Sequence, residues 1–65
     1  MTVTERLKNL DKIESMINES GFSVDEAGDA IEAINYQMHS IIYSATIFGL
    51  ITVDEADTLR YLYID

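Results

Sequence analysis

The sequence contains no cysteine, no proline and only one histidine, His39. Without cysteine, disulfide bonds and thiolate zinc sites are excluded, and a single imidazole excludes a multi-histidine metal site. A chain of 65 residues forms one domain at most, so residues 1–65 are expected to be a single domain. So short a chain buries only about 60% of the surface that its unfolded form exposes. Association with another chain is the remaining support for a core this small, and we predict a homodimer.

Basic residues are also scarce, with four Lys and Arg against twelve Asp and Glu and a formal net charge of −8. Direct binding to nucleic acid requires clustered cations that neutralise phosphates, so this class of ligand is excluded. Anionic membrane surfaces are excluded for the same reason. The charge favours a partner protein with a basic surface, because a field of one sign steers oppositely charged surfaces towards it.

Residues 33–53 carry no formal charge, and a segment of about this length spans a bilayer. Seven polar side chains interrupt the segment, however, and acidic residues flank it on both sides. The excess of Lys and Arg that marks the cytoplasmic side of a membrane helix is therefore missing, and we predict no spanning helix. The N-terminus also lacks the pattern of a secretory signal. We expect a cytoplasmic protein.

Three helical segments are separated by Gly21 and Gly49, and each begins with a capping box. The boxes pair Thr2 with Glu5, Ser23 with Glu26, and Thr52 with Glu55. We predict helices over about residues 3–20, 24–48 and 53–63. The fold class is therefore all-α, as a small three-helix bundle or a helical hairpin with a long central helix. Gly28 lies inside the central helix, where it either permits close helix approach or weakens that turn by ~1 kcal/mol relative to Ala.

Each segment carries an apolar stripe with helical spacing. The predicted core positions are Val3, Leu7, Leu10, Ile13 and Ile17 in the first helix, Ala27, Ile31, Ile34, Met38, Ile41, Ala45 and Phe48 in the second, and Val53, Ala56, Leu59 and Leu62 in the third. The central stripe steps by four and three residues, as in the seam of a helical bundle. The C-terminal half of the central helix is apolar on several sides. Either the first and third helices sandwich it or a second subunit covers the remainder, and the third helix packs on its own chain or on a neighbour.

No set of residues has the pattern of a catalytic or metal site. Asp25, Asp29 and Glu32 share one face of the central helix, but that face lies opposite the core stripe, where water solvates carboxylates. The segment around Asp25 lacks the spacing and the loop of a calcium site. His39 has no second metal-ligating side chain nearby, and we interpret it as a surface or interface residue. Since phosphate-binding glycine loops and nucleophile motifs are also missing, we predict that the chain is not an enzyme and binds no cofactor or metal.

One pattern on the central helix is unusual for a solitary domain. Opposite the core stripe, six residues recur at the same four–three spacing and form what we call the outer stripe: Asp25, Asp29, Glu32, Tyr36, His39 and Tyr43. The outer face of a surface helix is normally polar throughout, and tyrosine is enriched at protein interfaces. Two interpretations remain open. The outer stripe is a partner-binding surface, or Tyr36 and Tyr43 cover their own helix or pack on the third.

The leading hypothesis is a non-catalytic acidic binding protein that engages a basic surface on a larger protein and inhibits or regulates it. A column of carboxylates on a rigid helix can imitate the charge spacing of a nucleic-acid backbone, so proteins that handle DNA or RNA are natural partners. In style the chain resembles the small inhibitors and antirepressors carried by phages and other mobile elements, although no motif assigns it to a family. The alternative is a homodimeric structural or assembly module of a larger complex, with no inhibitory role.

Overall fold

A computed structural model describes residues 2–64, and the all-α prediction is confirmed. Three helices follow one another along the chain: α1 is Val3–Glu19, α2 is Val24–Ile47 and α3 is Val53–Tyr63. Within the described residues there is no strand. Both α1 and α2 end one residue before the predicted boundary, and α3 has the predicted bounds. Met1 and Asp65, the two ends of the predicted domain, lie outside the described residues.

Side-chain hydroxyls cap the N-terminus of every helix, at the positions where the sequence predicts them. Each hydroxyl accepts a hydrogen bond from the backbone N–H three residues later: Thr2 from Glu5 at 3.1 Å, Ser23 from Glu26 at 3.2 Å, and Thr52 from Glu55 at 3.1 Å. In α3 the box is reciprocal, because the Thr52 N–H also donates to the Glu55 carboxylate at 3.0 Å. These bonds satisfy donors that the first helical turn leaves without partners, and they fix where each helix begins.

The C-terminus of α2 is closed by a Schellman motif centred on Gly49. The Leu50 N–H donates to the Ala45 carbonyl at 2.8 Å, and the Gly49 N–H donates to the Thr46 carbonyl at 3.1 Å. This pair of bonds requires a left-handed residue after the cap, and Gly49 has a φ of 73°. Gly28 has a different role, since a Cβ built there would meet no atom within 4 Å. Gly28 therefore does not serve close helix approach, and the interpretation that it weakens its turn is the one that remains.

The core lies where α1 and α3 both pack on α2. It consists of six buried side chains: Leu7, Ile34, Met38, Ile42, Ala45 and Ala56. Five further predicted positions are partly buried against it: Val3, Leu10, Ile17, Ile41 and Leu59. Ile42 lies beside the predicted seam of α2 and is nonetheless fully buried, because two helices pack on α2 and together cover a wider face than one partner would. α1 and α3 both pack on α2, while Tyr43, Ile47 and Phe48 at its C-terminal half stay exposed.

Four predicted core positions are exposed, and for these the prediction is wrong: Ile13, Phe48, Val53 and Leu62. Phe48 is 79% exposed, because α2 ends at Ile47 and the capping residue leaves the helical register. On α3 the line of residues that packs on the core is Ala56, Leu59 and Tyr63, so Val53 and Leu62 lie to either side of it. Ile13 lies in a part of α1 that has only α2 beside it.

The molecule divides into two ends that differ in packing. All six buried residues lie in residues 2–10 and 34–64, which we call the three-helix end, and no residue of 11–33, which we call the two-helix arm, is buried. The reason is length: α2 spans about 36 Å and α3 only about 16 Å, so α3 covers less than half of α2. The outline is correspondingly long, at 39 × 18 × 16 Å with a radius of gyration of 12.7 Å, against about 11 Å for a compact chain of this length.

Candidate functional site

All six residues of the outer stripe are exposed. At 3.6 residues per turn they fall within a sector of about 80° on α2, and from Asp25 to Tyr43 they extend over about 27 Å. Of the buried residues of α2, Ile34, Met38 and Ala45 lie on the opposite side of the helix and Ile42 lies about 100° from the centre of the outer stripe, which holds the outer stripe away from the core. A single continuous helix therefore positions the whole set without help from any loop.

The three acids form the N-terminal half of the outer stripe and have no cation beside them. Asp25 lies in the first turn of α2, after the Ser23 cap, where the helix dipole favours negative charge. No Lys or Arg occurs anywhere in α2. Within residues 2–64 the single ion pair is elsewhere, between Arg60 Nη1 and Asp57 Oδ1 at 3.0 Å. The carboxylates of the outer stripe are therefore uncompensated within the described chain and available to an external cation.

The aromatic half of the outer stripe lies over the three-helix end. Tyr36 and Tyr43 are 77% and 63% exposed, and neither belongs to the residues packed against the core. His39 is exposed between them, and no hydrogen bond or ion pair joins its imidazole to another described residue. The two rings thus present most of their area to solvent on one side of α2.

Ile47 extends this surface by one helical turn beyond Tyr43. It lies four residues after Tyr43 and is 61% exposed, so its side chain falls on the same side of α2. Sequence reasoning missed this residue because the stripe was followed only as far as its polar and aromatic members. A further step of four residues from Tyr43 would have identified Ile47, whereas the alternating spacing leads next to Thr46, which is partly buried.

Five shallow clefts on the surface are lined by residues outside the outer stripe. In residues 2–64 no three Asp, Glu or His side chains come together as a metal-binding group. Across the same part of the chain, no helix is both long enough and apolar enough to cross a bilayer. The arrangement on α2 is an extended convex surface, whose geometry suits contact with another macromolecule.

Comparison of the chain with protein-family models, with curated proteins and with solved structures finds no significant match. The sequence pattern and the geometry of the chain are therefore the basis for assigning a role to the outer stripe.

Proposed function

We propose that this protein acts by binding, without catalysis, and that the outer stripe engages a basic surface on a larger protein and blocks or regulates it. The observation that carries the proposal is the uniform exposure of six residues along one face of a helix that contains no Lys or Arg. Among the described residues, the carboxylates of the outer stripe form no ion pair with a Lys or Arg side chain.

The spacing of the acids supports a partner that normally holds nucleic acid. Asp25, Asp29 and Glu32 are separated along the axis of α2 by about 6 Å and then about 4.5 Å. A single strand of duplex DNA carries one phosphate charge per about 3.4 Å of axis. The acidic column is thus somewhat less dense than a strand of DNA but similar enough to occupy two or three of the cation positions in a phosphate-binding groove.

The tyrosines contribute binding affinity that the carboxylates alone cannot supply. An exposed carboxylate contributes mainly to the rate of encounter and to salt dependence, because water screens it. Aromatic side chains that become buried on binding provide much of the affinity at protein interfaces. We assign the acidic half of the outer stripe to steering the partner and the half with Tyr36 and Tyr43 to anchoring it.

The experiment is capture of partners from a lysate of the source organism with the tagged full chain, eluted in steps of increasing salt and identified by mass spectrometry. Asp29→Asn with Glu32→Gln removes two charges from the outer stripe, and Asp11→Asn with Glu19→Gln removes two exposed charges from α1 as a matched control. We leave Asp25 unchanged because its charge also stabilises the start of α2. We expect a nucleic-acid-handling protein that elutes at high salt, is lost with the stripe variant, and is kept with the control.

A partner that resists high salt and binds both variants equally would contradict the proposal. Tyr36→Ala with Tyr43→Ala tests the anchoring half in the same assay. If the fold and every association persist in that variant, the aromatic half of the outer stripe is not an interface.

The second candidate function is that of a homodimeric structural or assembly module. It is favoured by the large hydrophobic side chains that stay exposed, among them Met16, Phe22, Phe48 and Leu50. Residues 2–64 bury six side chains, a small core for their number, and burial of further apolar surface in a dimer would stabilise it. We propose a dimeric state under either function, because the outer stripe leaves those apolar residues uncovered.

A further inference from the structure

An apolar groove runs between α1 and α2 on one side of the molecule. Two clefts that share Arg6 and Ile41 lie between the helices, and a third, lined by α1 and by the turn that follows it, lies one helical turn further along α1. Its principal apolar residues are Leu10, Ile13, Met16, Phe22, Ile41 and Phe48. We call it the α1–α2 groove, and it extends from the three-helix end into the two-helix arm. It shares no residue with the outer stripe.

The charge on the α1–α2 groove differs from that on the rest of the surface. The chain holds twelve acidic residues, yet no Asp or Glu lines any of the three clefts, and one cation, Arg6, does. On the α3 side, by contrast, a cleft is lined by Asp54 and Glu55. Two copies that each carry a net charge of −8 repel one another, so self-association requires a face where acids are missing. The α1–α2 groove is such a face.

The chain also exposes more area than a compact monomer, and the excess is similar to the area that a dimer interface would cover. The chain exposes 4787 Å², whereas a compact monomer of 7.3 kDa exposes about 4,200 Å². The excess of about 600 Å² is close to the share of one partner in a small, specific interface, at roughly 600–1,000 Å². One second copy is therefore enough to bring the exposed area per chain to that of a compact protein.

We propose that a second copy of this chain covers the α1–α2 groove through a two-fold contact with the helices of the two copies antiparallel. Leu10 and Ile13 lie midway along the groove, so an axis near them brings the Phe48 end of one copy over the Met16 and Phe22 end of the other. Every contact between a residue of one copy and a residue of the other then occurs twice, as a closed two-fold interface requires. The inference rests on the dimeric state proposed above and assigns its interface.

The test is the molar mass of the full chain in solution, by light scattering after size exclusion and by sedimentation equilibrium. We expect twice 7.3 kDa for the wild type. Ile13→Glu and Met16→Glu each place an acid in the groove at an exposed position of the two-helix arm, and we expect each to weaken dimerisation at least about 30-fold. Leu62→Glu is the matched control: Leu62 is 64% exposed on α3, close to the 66% of Met16, and we expect it to leave the dimer intact.

Far-UV circular dichroism checks that each variant is helical, and Met16→Ser repeats the test without introducing charge if a glutamate variant does not fold. A wild type that stays monomeric up to about millimolar concentration, where a specific dimer would form, overturns both the dimer and its interface. A dimer that tolerates the groove variants overturns the interface alone. Neither result depends on the outer stripe, whose variants are tested separately by capture of a partner.

Discussion

The three-helix end and the two-helix arm are made from similar side chains but achieve different degrees of burial. Both contain Leu, Ile or Met at helical spacing, yet Leu7 and Met38 are fully buried, whereas Ile13 and Met16 are 46% and 66% exposed. The difference is α3, which packs on α2 at one end and stops short of the other. Two helices in contact bury one line of residues each, and a third is needed before a side chain is enclosed on every side.

Shortening one apolar side chain in each region tests this difference in burial most directly. We expect Leu7→Ala to cost about 3 kcal/mol of the free energy of unfolding, because it leaves a cavity in the core. Ile13→Ala, in protein dilute enough to be monomeric, should cost about 1 kcal/mol or less, because its side chain is already half in water. Urea denaturation followed by circular dichroism measures both. Equal losses would mean that the two regions are equally packed.

A second, smaller difference should separate the two halves of α2 in amide hydrogen exchange. Residues 34–47 carry every buried side chain of α2, so their amides should exchange only when the whole chain unfolds. Residues 24–33 lie in the two-helix arm, and we expect their amides to exchange at least about tenfold faster, through local opening. Residue-resolved exchange of the monomer by NMR gives the two sets of rates. One uniform rate along α2 would show that the helix opens as a single unit.

The smallest expected effect comes from strengthening the two-helix arm. Gly28→Ala should raise the free energy of unfolding by about 0.5–1 kcal/mol, because alanine favours the helix and its Cβ has open space. The same change at Gly49 should lower it by about 1 kcal/mol, since that residue has a φ of 73°. Thermal unfolding of the two variants beside the wild type gives the comparison. If Gly28→Ala destabilises the chain, the interpretation of Gly28 as a weakened turn is wrong.

Local signals in the sequence predicted the starts and ends of the helices well. The hydroxyl caps at Thr2, Ser23 and Thr52 act on their own first turns, and Gly49 acts on the last turn of α2. Such contacts join residues a few positions apart, so a short stretch of sequence contains all the information needed.

The sequence did not predict how far each helix overlaps its neighbour. The apolar spacing of α2 is regular along its length, but burial depends on where α3 stops, and the same spacing yields fully buried Met38 and only partly buried Ile31. Ile42 lies beside the predicted seam and is buried in the same core cluster as Ala56 of α3. For the candidate site, the helical period placed all six residues of the outer stripe on one exposed face. The α1–α2 groove was missed because it forms only when two helices meet.

The boundary between the three-helix end and the two-helix arm also passes through the outer stripe. Asp25, Asp29 and Glu32 lie in the arm, whereas Tyr36 and Tyr43 lie over the buried core. A partner would thus meet a preorganised aromatic platform continuous with a segment that we expect to open locally more often than the platform does. Ordering that segment on contact has an entropic cost. Its mobility before contact, however, lets the carboxylates adjust their positions to cations that are not evenly spaced. The heat capacity change of binding would then exceed the value expected from the contact area alone.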